Sequence, residues 1–333
     1  MKNLTDALLT WYAQNGRDLP WRTKGGAAPD AYAVWVSEIM LQQTTVQTVH
    51  DYFLKWMRRF PTITALAEAS LDEVLHAWQG LGYYTRAKKM HECARVVVEV
   101  YGGHFPADRK KLLELPGIGP YTASSICAFA FNQPETVVDG NVIRVIARLY
   151  GIQNEIDKND IYERAQKLTS LTHGADYASA IMDLGATVCR PQNPLCMICP
   201  WVQACEAAKR GITEEIPVLK KLAKKKKEGV VLAVWDKKGN LFIQKRKGKG
   251  LLSGLWELPW TDDGMHFPFE SKWTDHHKKI RHVFTHFDLT LSLFSTTVES
   301  TPPALKDGTF VSKAELSAYA FSTLMKKVLK ALP

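Results

Sequence analysis

Two carboxylates in unlike settings are the groups of this chain best suited to breaking a covalent bond. In AYAVWVSEIMLQQTTV (residues 31–46), Glu38 stands among Val34, Trp35, Ile39, Met40 and Leu41. Burial among such neighbours penalises the ionised form and keeps the proton on, which suits a general acid near neutral pH. A helix that turned Glu38 to solvent would remove that property. In ETVVDGNVIRVIARLYG (135–151), Asp139 immediately precedes a helical pattern marked by Val142, Val145, Ile146 and Leu149. An N-cap there accepts backbone N–H bonds that favour the anion, although capping alone is a sufficient use for such a residue. One acid and one anion are what cleavage of an N-glycosidic bond requires. The acid protonates the leaving base, and the anion faces or captures the sugar cation.

A second dense signal is CRPQNPLCMICPWVQAC (189–205), which holds Cys189, Cys196, Cys199 and Cys205 of the chain's six cysteines. A structural zinc site usually has two short Cys knuckles separated by a longer arm. Here one Cys-x-x-Cys knuckle lies between single cysteines on unequal arms bearing Pro191, Pro194 and Pro200. That spacing favours a 4Fe–4S cluster, one thiolate per iron, and leaves zinc open. Cys93 and Cys127 stand alone in apolar helical context, as expected of a reduced cytoplasmic protein rather than a disulfide framework.

The third signal is LLELPGIGPYTASSICAFAF (112–131), in which PGIG separates two helical patterns and Pro120 opens the second. Gly117 and Gly119 carry no Cβ, so backbone N–H groups at a helix N-terminus can approach an anion closely. A helix–hairpin–helix holds a DNA phosphate in this way without reading the base. An ordinary helical corner would show the same two glycines.

These residues need a helical scaffold, and the chain supplies one. Residues 1 to about 210 repeat apolar positions with the helical period, as in LTDALLTWYAQ and LDEVLHAWQGL. KKLAKKKKEG (220–229) is a charged boundary read as a solvated linker. Beyond it, VVLAVWDKKGNLFIQKRK reads as two strands about a KKGN turn. RHVFTHFDLTLSLF alternates, with Val283, Phe287, Leu289, Leu291 and Leu293 on one face and Phe284 set oddly on the other. KAELSAYAFSTLMKKVLKAL returns to helix. The expected fold is therefore multidomain: an all-α domain at 1–215 with the hairpin at 112–131 and the cysteine loop at 189–205, a basic linker at 216–229, and an α+β domain at 230–333. At 333 residues with a net charge of +9, a two-domain partner of a polyanion is expected. MKNLTDALLTWYAQ has no signal character and no run reaches the roughly 18 apolar residues of a membrane span, so a cytoplasmic protein without membrane contact is expected.

Taken together, the cysteine loop, LPGIGPYTA and VVDGNV resemble the endonuclease III superfamily of helix–hairpin–helix DNA glycosylases. RDLPWR (17–22), SEIMLQQTTV (37–46), WQGLGYYTRA (78–87) and MDLGATVC (182–189) resemble its MutY-type adenine-specific members, over residues 8 to 205. The resemblance implies a monomeric enzyme with a 4Fe–4S cluster that acts on double-stranded DNA, removing adenine opposite 8-oxoguanine or guanine. It implies Glu38 as the acid at adenine N7, and Asp139, with Asn141 nearby, as the carboxylate at the sugar. Arg17, Trp21, Leu41 and Asp183 fall on the pocket for the flipped adenine, with Arg22 and Gln42 in the same motifs. Gln43 and Tyr83 fall beside 8-oxoguanine. Strand-cutting relatives carry lysine where this chain has Tyr121, and a phenol cannot form a Schiff base, so a monofunctional glycosylase is expected. The rivals are a bifunctional endonuclease III-type glycosylase for damaged pyrimidines and a non-catalytic iron–sulfur DNA-binding module.

GLLSGLWELPW (250–260) and HVFTHFDL (282–289) resemble, more weakly, the family's Nudix-like 8-oxoguanine recognition domain. By that resemblance Phe284, Thr285 and His286 meet the lesion, with Thr285 where the family usually has Ser. After ELPW the chain reads TDDGMHFPFE, so the carboxylate-rich box of a Nudix hydrolase is missing. TKGGAAPD (23–30) looks like an insertion with no counterpart.

Overall fold

The computed structural model describes residues 2–22, 29–218, 224–248, 250–305 and 307–333. Of the insertion-like 23–30, residues 23–28 lie outside them, and of the basic stretch 220–229, residues 220–223 do. Among the described residues twelve α-helices come first: α1 (Lys2–Asn15), α2 (Ala31–Leu41), α3 (Val46–Arg59), α4 (Ile63–Glu68), α5 (Leu71–Ala77), α6 (Thr85–Tyr101), α7 (Arg109–Leu113), α8 (Pro120–Phe131), α9 (Gly140–Leu149), α10 (Lys158–Gln166), α11 (Gly174–Asp183) and α12 (Glu206–Lys209). Six strands and a last helix follow: β1 (Lys225–Asp236), β2 (Leu241–Lys245), β3 (Trp256–Glu257), β4 (Thr274–Val283), β5 (Phe287–Val298), β6 (Gly308–Val311) and α13 (Thr323–Ala331).

By their internal contacts these elements form two units, Met1–Glu68 with Glu92–Lys220, and Ala69–His91 with the residues from Lys221 onward. The first is all helical. Its central helix α2 starts at Asp30, whose carboxylate accepts the Tyr32 N–H at 2.9 Å. α2 is apolar nearly all round, as a helix enclosed by others must be. It packs on α8, and α8 packs on α11. A second apolar core gathers Leu8 of α1, Ile146 of α9, Ile161 of α10 and Ile181 of α11 around Trp201. The helix ahead of the hairpin is only the five-residue α7. Gly117 has φ +78 in the following turn, which suits glycine, and Gly119 caps α8 in extended conformation.

In the second unit the sheet runs β3-β2-β1-β5-β4, with β6 also paired to β2. β1 and β5 are parallel and central, and residues 229–234 of β1 are all buried, as in a strand covered on both faces. One face packs Val231, Ile243, Leu291 and Leu293 against Leu324, Met325 and Val328 of α13. Val230, Leu232, Phe242 and Phe294 form the other core.

The structure departs from the sequence reading in four places. Lys225–Gly229 are not linker but the start of β1, in register with Phe287–Leu291. Lys225 and Lys226 are exposed there, while Lys227 is half-buried and ion-paired with Asp262. RHVFTHFDLTLSLF is not one alternating strand but two antiparallel ones, turned at 284–286, so the turn resets the faces. Val283 is therefore 52 % exposed, and Phe284 packs against the sheet core. The C-terminal helix begins only at Thr323, because Glu315–Ala318 form a single 3-10 turn. Finally, Ala69–His91, expected within the helical domain, groups with the sheet.

Candidate active site

Glu38 lies in the last turns of α2 and is 6 % exposed. Burial pushes its carboxyl up to about 7, and the nearby Asp139 adds to the rise. Hydrogen bonds with Tyr121 and Ser125, and the charge of Arg22, work against it. Tyr121 sits in the first turn of α8, where the hairpin aims it at Glu38. Burial, then Glu38 and Asp139, hold its phenol protonated, so it faces the carboxyl as a donor. Asp139 caps α9 and accepts the Val142 N–H at 2.8 Å and the Asn141 side-chain amide at 2.9 Å.

Glu38, Tyr121, Asp139 and Asn141 line one cavity of about 1290 Å³, together with Arg17, Trp21, Arg22, Leu41, Gln42 and Gln43. Gln43 takes φ +61, unusual for a residue with a Cβ. Asp183 is not on this wall. It is fully buried behind it, where Arg17 reaches Oδ1 at 2.7 Å and Arg22 reaches Oδ2 at 2.8 Å. The two guanidiniums hold its carboxylate below the usual range despite burial. Asp183 therefore orients the two arginines of the cavity and has no free lone pair for a ligand.

All four cysteines of the 189–205 loop border one cavity of about 30 Å³, with Arg148 at its side. Arg148 donates to the Cys189 sulfur at 3.4 Å and is itself buried. Among the described residues no three of His, Cys, Asp and Glu are grouped as ligands of a single ion. Burial pushes the Cys199 thiol up to about 12 and raises Cys205, with the other sulfurs adding to both. Four sulfurs around one cavity form a donor set that fits a metal centre with thiolate ligands.

A chain of contacts joins this loop to Asp139. Arg144 of α9 donates to the Cys189 carbonyl at 2.7 Å, the Gly185 carbonyl at 2.7 Å and Asn141 Oδ1 at 2.8 Å. Asn141 then donates to Asp139 Oδ2. Gly185 lies in a π-helical turn directly after α11, so close to Asn141 that a Cβ would come within 2.7 Å of the Asn141 Cβ.

In the second unit Thr285 and His286 are exposed at the β4–β5 turn, and Phe284 stacks edge-on to His282. The Thr285 and Tyr83 hydroxyls hydrogen-bond to each other. Tyr83 has φ +47 and is 46 % exposed. No helix lies between β3 and β4, where a Nudix hydrolase carries its carboxylates.

A family profile described as "HhH-GPD superfamily base excision DNA repair protein" matches residues 36–170, and one for the NUDIX domain matches 230–331. Adenine DNA glycosylase of Rattus norvegicus is 35 % identical over 97 % of this chain and 76 % of its own length. The Homo sapiens protein of that name is 34 % identical over 97 % and 73 %. The chain belongs to the adenine DNA glycosylase family. A solved thermostable thymine-DNA glycosylase, 30 % identical, superposes with a TM-score of 0.57 over 63 % of this chain and 96 % of that one. Family membership sets aside the non-catalytic reading and does not favour the pyrimidine-lesion reading. No helix among the described residues is long and apolar enough to cross a membrane.

Three residues of the site escaped the sequence reading. Ser125 lies four residues after Tyr121 on α8, and that spacing alone places it on the same helix face. Arg144 lies three residues after Asn141 on α9 in the same way. Gly185 gave no signal, because its use is a close approach that only the packed structure reveals.

Proposed function

We propose that this enzyme flips adenine out of duplex DNA where it is paired with 8-oxoguanine or guanine, and cleaves its glycosidic bond without cutting the strand. The observation that carries the reading is the shared cavity in which a buried acid, Glu38, lies near a capped carboxylate, Asp139. A base within the stack is out of reach, so it must be extruded into that cavity. Glu38 donates its proton to adenine N7, the bond between N9 and C1′ breaks, and neutral adenine leaves. Asp139 balances the sugar cation, water adds its oxygen to C1′, and the water's proton returns to a carboxylate. Tyr121 steadies Glu38 and offers no amine for strand cleavage.

Cys189, Cys196, Cys199 and Cys205 would hold a 4Fe–4S cluster, which would cross-link the loop and supply a one-electron couple. Support for a phosphate at the hairpin comes from Gly119, where a Cβ would meet nothing within 4 Å. Packing does not explain that glycine, and room for an outside group does. The exposed Thr285 and His286, with Phe284 beside them, suit contact with the opposite base. A monomer acting in the cytoplasm completes the reading.

Glu38→Gln and Asp139→Asn test it. Each variant keeps binding to a duplex with adenine opposite 8-oxoguanine and loses at least about 100-fold in single-turnover rate. A variant near the wild-type rate would refute the role given to that residue.

A further inference from the structure

The strip that carries Tyr83 is built into the sheet unit at several separate points. Asp72 of α5 accepts from Lys245 of β2 at 2.6 Å. His76 Nε2 lies 3.2 Å from the Ser317 carbonyl, and Gln79 donates to the Tyr319 carbonyl at 3.3 Å. Lys88 of α6 donates to the Ser253 hydroxyl, ahead of β3, at 3.1 Å. Tyr83 lies between Gln79 and Lys88, so both of its flanks are fixed to the same body.

The loop itself is braced from within. Trp78 donates to the Gly82 carbonyl at 2.9 Å, and the Gly80 N–H donates to the Tyr84 hydroxyl at 3.3 Å. The Arg86 guanidinium lies 5.2 Å from the Trp78 ring centre and 5.3 Å from that of Tyr83. It therefore backs the tyrosine with a cation held between two aromatic faces. These contacts hold Tyr83 in its left-handed backbone conformation with its hydroxyl on Thr285. Residues 202 positions apart in sequence thus meet as one surface.

We infer that Ala69–His91 and the sheet form a single reading head, in which Asp72, His76, Gln79 and Lys88 are positioning residues. They fix Tyr83 against the 284–286 turn, and so determine how strongly the enzyme prefers 8-oxoguanine over guanine opposite the adenine. The inference rests on the proposed lesion reading. None of the four residues lines the cavity that holds Glu38 and Asp139. Loosening them changes which partner base is read and leaves the bond-breaking groups in place.

The test compares single-turnover adenine release from duplexes with 8-oxoguanine or guanine opposite the adenine, using the full chain. The variants are Asp72→Lys with Gln79→Ala, and the same pair with Lys245→Asp added to restore an ion pair in reverse. The first variant should lose about fivefold in the ratio of the two rates, with the guanine-duplex rate unchanged, and the second should recover part of the ratio. An unchanged ratio, or an equal fall in both rates, overturns the inference and leaves the lesion reading standing. A wild-type enzyme with no preference overturns the lesion reading and the inference together.

Discussion

Raising the pH should switch off this enzyme through Glu38. Burial takes the carboxyl from an ordinary 4.5 up to about 7, which corresponds to about 3 kcal/mol favouring its protonated form. About nine-tenths of the molecules then carry the proton at pH 6 and about one-tenth at pH 8, so the rate falls roughly tenfold per pH unit above 7. The same shift bears on folding. A carboxyl that binds its proton more tightly when folded contributes stability that is fully present below 4.5 and lost as pH rises through about 7. Tyr121→Phe removes a hydrogen bond that favours the ionised form, and should move the alkaline limb upward by about one pH unit. The assay is the single-turnover rate of adenine release between pH 5 and 9, for wild type and Tyr121→Phe. A rate level up to pH 9, or a limb that moves downward in the variant, would refute Glu38 as the buried acid.

Other substitutions probe the supports of the site. Asp183→Ala leaves Arg17 and Arg22 without their shared carboxylate and should cost about 3 kcal/mol in denaturant unfolding. Gly185→Ala should lower the adenine release rate with little loss of DNA affinity, because the added Cβ presses on Asn141, which holds Asp139. Arg144→Gln should do the same by releasing Asn141 from the cysteine loop, and titration with lesion duplex separates rate from binding. Cys199→Ser should reduce the iron content of purified protein and its visible absorption. Equal zinc content in wild type and variant, with no iron in either, would refute the cluster.

Much of the candidate cavity was legible in the sequence because it is built from local patterns. Glu38 could be read as buried because apolar residues surround it on nearly every side of a helix. Asp139 could be read as a cap because the helical period starts directly after it. Asp183 was misplaced for a physical reason. Its two arginine partners are more than 160 positions away, and an ion triad leaves no periodic trace. Val283 and Phe284 were misread because alternation continues through a tight turn while the faces it labels do not. The docking of Ala69–His91 onto the sheet was equally hidden, since most of its bonds end on backbone carbonyls or exposed side chains.

The most direct measurement uses a duplex with a single adenine opposite 8-oxoguanine, incubated with the purified enzyme and split into two portions. One portion is heated with alkali before the strands are separated, and the other is not. The expected result is a break at the adenine only in the alkali-treated portion, with Glu38→Gln giving none. A break without alkali, or none under either condition, would contradict a glycosylase that removes adenine and leaves the strand intact.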